Sequence, residues 1–221
     1  MYKSIVVIDD FYEDPHAVRK AALSFTYPDD TGEVTYPGRN SSQAMLPPNS
    51  DEMFSFLVQE PVMGGPGMWH GVCRIALATH KRTGEVHVDQ RCSWAGVICL
   101  TPDEYCVGGT EFYRHKKYGT QHMPFTEEEA QRIYGCQSRA EVLDMLFGKG
   151  KDGRDLDKWE KVHELPLKFN RCVLFRPWFF HRSGPDFGDS MENGRLVQLL
   201  FFVPGKNAQN LRTVPESGKK M

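Results

Sequence analysis

The chain has 221 residues, 40% hydrophobic and 25% charged, with 27 basic against 29 acidic residues and a formal net charge of −2. It is long enough to bury a substantial core, and its composition is that of a globular domain rather than a disordered or fibrous chain. The near-balanced charge gives no general footprint for nucleic acid, and no apolar run approaches the roughly 20 residues that span a bilayer.

Taken in chain order, residues 4–8 predict a strand ended by Asp9-Asp10-Phe11. Their apolar stretch is too short for the hydrophobic part of a secretory signal. Asp14 before Pro15 marks a helix start, with Asp14 as N-cap and Pro15 at the first helical position. Val18, Ala21, Ala22 and Phe25 then follow at helical spacing, so a helix is expected over 15–25. Residues 27–50 read as loop, broken by Pro28, Gly32, Pro37, Gly38, Pro47 and Pro48. A short helix is expected over 51–58, and Gly64-Gly65-Pro66-Gly67 reads as a turn without a phosphate-binding pattern.

From Trp69 the pattern becomes β. Strands are expected over 70–79, 85–89, 95–100 and 110–114, separated by turns at Thr83-Gly84 and Gly108-Gly109. A helix over 126–147, opened by Thr126 and the acidic run Glu127-Glu128-Glu129, and a second over 155–165 interrupt them. Strands return over 170–175, 179–182 and 195–203, followed by a polar tail over 205–221. The expected fold is mainly β with flanking helices, a double-stranded β-helix or jelly roll. It forms a single domain over 1–221: a β-helix core of about 70–203 on a strand–helix support, 1–69. A β-sandwich without a ligand cavity is the competing architecture. The six cysteines show no C-x-x-C and no zinc-ribbon spacing. Several lie in apolar runs where a thiol acts as a small hydrophobe, so a reduced, cytoplasmic protein is expected.

His87-Val88-Asp89 closes one predicted strand. Side chains two apart on a strand share a face, so an imidazole and a carboxylate converge while Val88 turns away. A distant histidine at another strand end, His181, completes a two-histidine, one-carboxylate set that leaves three positions open on iron. The tripeptide alone is weak, because strand-end His and Asp more often cap turns; their order with His181 and Arg195 is more specific. Arg195 lies fourteen positions after His181 and opens a strongly apolar run. A guanidinium there needs an anionic partner: either a protein carboxylate such as Glu111 or Asp186, or a ligand carboxylate gripped by its planar fork.

Five pieces in order now carry a resemblance: His87-Val88-Asp89, then 94–100, then Gly108-Gly109-Thr110-Glu111-Phe112, then His181 and Arg195. Over about 72–203 the sequence resembles the 2-oxoglutarate/Fe(II) dioxygenase superfamily, particularly its prolyl-hydroxylase-like branch. The opening Val7-Ile8-Asp9-Asp10-Phe11 is also similar to that branch. The resemblance implies Fe(II) held by His87, Asp89 and His181, and 2-oxoglutarate and O2 as cosubstrates. It gives the distal oxoacid carboxylate to Arg195, and implies oxidation of an unactivated C–H bond with release of succinate and CO2. The gap from His181 to Arg195 is longer than the family's pattern, and no Ser follows two places after Arg195. Tyr105, Thr110 and Tyr113 are the candidates for a second cosubstrate contact. The expected substrate is a small molecule, an amino acid or a peptide, with neither membrane nor nucleic acid as partner. The alternative is a non-catalytic, cupin-like metal-binding or sensor protein.

The remaining chemistry-bearing residues read as follows. His115 and His122 flank an expected exposed loop at Lys116-Lys117, and His163 is expected on a helix surface. Gln90 and Arg91 are expected at the cavity mouth, which the loop over 36–45 could cover. Trp94 with 97–100 is expected in the core.

Overall fold

The apolar run 195–202 has to bury both faces, and it does so as the centre of a sheet. The computed structural model describes residues 3–28, 37–80 and 85–206. Within them ten strands form two antiparallel sheets: β1 (Ile5–Ile8), β2 (Arg39–Ala44), β3 (Val62–Gly64), β4 (Val72–Ala76), β5 (Trp94–Cys99), β6 (Gly109–His115), β7 (Trp159–Pro166), β8 (Cys172–Phe175), β9 (His181–Arg182) and β10 (Arg195–Pro204). The larger sheet runs β1-β8-β5-β10-β4-β2 with β3 also paired to β10, and the smaller runs β7-β6-β9. Residue 87 extends the smaller sheet beyond β9 through an antiparallel bridge to His181. The four central strands of the larger sheet (β4, β10, β5, β8) thus face a smaller sheet of 87, β9, β6 and β7. From Val72 onward the chain winds back and forth between the two. That is a double-stranded β-helix, with its sheets not closed into a barrel.

Alternation along β10 sets the two sides apart. Leu196, Leu200 and Phe202 pack outward with Trp94, Ile98, Leu174 and Phe54 into the main core, beneath α1 (Pro15–Leu23) and α2 (Ser50–Val58). Arg195, Leu199 and Phe201 point the other way, between the sheets. Asp14 caps α1 through Ala17 N at 2.9 Å. Trp94 is fully buried. The Arg176 guanidinium lies 4.0 Å from its ring centroid and pairs with Glu60. All six cysteines are free thiols, and among the described residues no helix is long and apolar enough to cross a membrane.

Three sequence expectations are corrected. The segment expected as loop over 27–50 contains β2, a polar edge strand partly laddered by side chains: Ser41 Oγ accepts Cys73 N at 3.0 Å and donates to Gln43 O at 2.6 Å. The single helix over 126–147 is two pieces. α3 (Glu127–Glu129) runs into a π turn (Ala130–Tyr134) that ends at Gly135 with φ 72. A new start at Ser138, whose Oγ accepts Glu141 N at 3.1 Å, then opens α4 (Arg139–Phe147). The helix over 155–165 is a 3-10 turn (Leu156–Lys158) followed by β7, which places His163 on a strand. His115 ends β6 and flanks the exposed turn at Lys116-Lys117, as expected. It is 1% exposed, with Nε2 3.0 Å from Asp152 Oδ2. The turn at Thr83-Gly84, residues 29–36 and the tail from 207 lie outside the described residues.

Candidate metal centre and anion pocket

His87 and Asp89 come to one face because they are two apart in extended chain. The intervening Val88 is buried in the opposite cluster with Val86, Trp159 and Phe180. His181 is placed beside them by backbone pairing: His87 N donates to His181 O at 2.9 Å and His181 N to His87 O at 3.0 Å. Asp89 N, bonded to Pro177 O at 3.0 Å, holds the end of that short ladder. The ring centroids of the two histidines are 4.3 Å apart. His181 Nε2 lies 3.1 Å from Asp89 Oδ2, and His87 Nε2 3.7 Å from Asp89 Oδ1. One donor atom from each of the three falls within 4.8 Å of the others.

The far side of each imidazole fixes what the near side offers. His87 Nδ1 lies 2.8 Å from Glu85 O, and His181 Nδ1 2.7 Å from Phe179 O. A carbonyl can only accept, so each Nδ1 donates there, and Nε2 is the ring nitrogen left to face Asp89 and the cavity. Burial, reinforced by the neighbouring His181, pushes the His87 imidazole down to about 4, which keeps it neutral, as a ligand must be. Burial pushes the Asp89 carboxyl up, but His181, through charge and hydrogen bond, and His87 outweigh it and hold Asp89 below the usual range. Two imidazole Nε2 atoms and an ionised carboxylate suit a divalent iron, zinc or nickel ion, and this donor set is that of the facial triad.

The three line a cavity of about 500 Å³ between the sheets. Arg195 lies in the same wall, 4% exposed, and its Nε has no hydrogen-bond partner among the described residues. Burial lowers its pKa against the opposing pull of Asp186, Cys99 and Cys106. The rival partner Glu111 is taken by Arg182 at 2.5 Å and Lys161 at 3.2 Å. Of the three candidates for a second contact, only Thr110 lines the cavity. Tyr113 gives its hydroxyl to Glu111 Oε2 at 2.5 Å. Tyr105 stands 44% exposed on the 3-10 turn Asp103–Tyr105. Gln90 and Arg91 follow Asp89 in sequence without lining the cavity, whereas Pro37, from the loop expected to cover the mouth, does line it. Sequence reasoning missed Arg74 and Trp69, both in the wall. Arg74 interrupts the apolar run of β4 as Arg195 does that of β10, so the same signal was there to be read.

A model of DUF6445, described as a family of unknown function, matches residues 2–202. No curated protein sequence matches. HygX from Streptomyces hygroscopicus, solved with nickel, 2-oxoglutarate and hygromycin B bound, aligns at 10% identity over 96% of this chain and 92% of that one, with a TM-score of 0.49. SnoK, a non-heme alpha ketoglutarate dependent carbocyclase from nogalamycin biosynthesis, aligns at 14% identity over 97% of this chain and 90% of that one, TM-score 0.47. EctD from S. alaskensis, in its apoform, aligns at 12% identity over 98% and 81%, TM-score 0.45.

Proposed function

We propose that this chain, which belongs to the family of unknown function DUF6445, is a non-haem Fe(II) oxygenase that uses 2-oxoglutarate. The observation that carries the reading is one cavity with a candidate ligand triad in its wall and, in the same wall, a buried guanidinium whose Nε lacks a partner among the described residues. A structural metal site would need the triad but not the guanidinium. That asymmetry favours the enzyme over a cupin-like binding protein.

His87, Asp89 and His181 would hold the metal at the cavity wall. Arg195 binds the distal carboxylate of 2-oxoglutarate, giving its desolvated Nε the acceptor that the described residues do not supply. Thr110 is the hydroxyl available to assist it. The apolar wall formed by Val97, Phe175 and Leu199 keeps water from the reacting centre, where charge interactions are stronger for its absence. Bound there, iron with 2-oxoglutarate and O2 would supply the oxidising power to hydroxylate or otherwise oxidise an unactivated C–H bond, with succinate and CO2 as coproducts. The substrate class is a small molecule, free amino acid or peptide that the cavity volume admits.

Anaerobic addition of Fe(II) and then 2-oxoglutarate tests the reading directly. A weak visible charge-transfer band, saturating with one equivalent of oxoacid and absent from Arg195→Met, is the expected result. Iron binding with no such band would leave a metal-binding protein and remove the oxygenase.

A further inference from the structure

The long connection between His181 and Arg195 departs from the family's pattern and also supplies part of the cavity wall. Its segment 184–188 is fixed by backbone constraints rather than by pairing in a sheet. Gly184 has φ 71, and a Cβ there would meet Gly109 O at 2.4 Å. Gly188 has φ 76, and its carbonyl accepts Ala78 N at 2.9 Å. Pro185 packs on the Gly108 turn so closely that a Cβ on Gly108 would lie 2.6 Å from its ring. Between these clamps sits Asp186, which lines the cavity.

Asp186 Oδ1 is buried without a hydrogen-bond partner among the described residues, and no salt bridge engages the carboxylate there. A desolvated carboxylate oxygen lacking a donor is costly to maintain. The nearby basic groups do not meet that need. Arg195, His80 and Arg74 influence Asp186 only through longer-range charge. Arg74 Nε is given to Asn40 Oδ1 at 2.7 Å, and among the described residues neither Asp186 Oδ1 nor Arg195 Nε finds a partner, so the two are not bonded to each other. Two aromatic rings, Trp69, which is 55% exposed, and Phe201, share the wall with Asp186. A carboxylate that shares a cavity with aromatic rings suits an organic cation, which gains from both. A neutral hydroxyl would leave the buried charge uncompensated.

We propose that Asp186 is a substrate-binding residue and that the substrate carries a protonated amine, whose N–H donates to Asp186 Oδ1 while its hydrocarbon part lies against Trp69 and Phe201. The word substrate rests on the oxygenase reading; the amine site itself does not.

The test compares benzylammonium with benzyl alcohol, which differ in the charged donor alone. Titration calorimetry is run on the full chain both free of metal and loaded anaerobically with Fe(II) and 2-oxoglutarate. Benzylammonium is expected to bind at least about tenfold tighter, as a charge-assisted hydrogen bond contributes. Asp186→Asn should erase that preference, and Asp186→Glu should keep part of it, with 2-oxoglutarate affinity unchanged in both. Equal binding of the two probes to the unsubstituted chain, absence of saturable benzylammonium binding, or an undiminished preference in Asp186→Asn would each overturn the proposal. The probe comparison on the unsubstituted chain needs no variant to fold. An amine preference that persists while 2-oxoglutarate fails to bind would sink the oxygenase reading and leave the amine site standing.

Discussion

Replacing Arg195 by methionine should make the metal-free, oxoacid-free protein more stable while destroying its capacity to bind the oxoacid. The side chain is 4% exposed and its Nε is unpartnered among the described residues. Burial outweighs the favourable charges of Asp186, Cys99 and Cys106 and drives its pKa down. Methionine keeps much of the aliphatic stem and its packing and removes the desolvated charge. An unsatisfied buried polar group costs about 1–3 kcal/mol, and more when charged. For a domain of this size each kcal/mol moves the melting temperature by roughly 2–4 °C, so a rise of about 2–12 °C is expected. Reversible thermal unfolding of both proteins, in chelator and without 2-oxoglutarate, measures it. With Fe(II) present throughout, saturating 2-oxoglutarate should then stabilise the unsubstituted protein further and leave Arg195→Met where iron alone puts it. A melting temperature that falls on substitution would mean that Arg195 satisfies a protein group, and the anchor assignment would be lost.

Other consequences can be checked independently. His87→Ala, Asp89→Ala and His181→Ala should each reduce bound Fe(II) well below one equivalent with circular dichroism unchanged; full stoichiometry in all three would refute the triad. Arg195→Lys should weaken 2-oxoglutarate binding by roughly one to two orders of magnitude, because an ammonium lacks the planar fork, with iron affinity retained. Trp94→Ala removes a fully buried ring stacked on Arg176 and should cost about 3–5 kcal/mol in urea unfolding; an unmoved midpoint would contradict its place in the core. Burial holds the His115 imidazole below its usual pKa, against the pull of Asp152. The unfolded chain therefore takes up that proton first as pH falls below about 6.5, and stability is lost there rather than gained. His115→Gln should flatten the decline of stability between about pH 7 and 5; an identical slope would remove His115 as its source.

The candidate site was legible where chemistry and strand geometry coincide. His87 and Asp89 needed only the period of two, and Arg195 only the incongruity of a cation in an apolar strand. The second oxoacid contact was not legible, because Thr110, Tyr113 and Tyr105 differ in direction rather than in type: one faces the cavity, one donates to Glu111, one is exposed. β7 was read as helix for a definite reason. Its register with β6 passes from Phe112↔His163 to Tyr113↔Lys161, so Val162 is an extra residue. That bulge spaces Trp159, Val162 and Leu165 by three, which imitates a helical stripe. Its charges also resemble a solvated helix face, although Lys161 and Glu160 reach across to Glu111 and Arg114 on β6. β2 escaped because Arg39-Asn40-Ser41-Ser42-Gln43 has no apolar alternation; its place depends on β4 beside it.

Both metal-facing histidines are steered by a carbonyl two residues earlier in their own stretch of chain, Glu85 O and Phe179 O. Both partners are main chain, so exchanging the side chain of Glu85 or Phe179 leaves the hydrogen bond that sets the tautomer in place. Sequence drift around the centre can therefore reshape the cavity and its specificity while the ligand orientation persists. Under the proposed function, specificity can change through the connections, the 184–188 segment above all, without rebuilding the proposed centre.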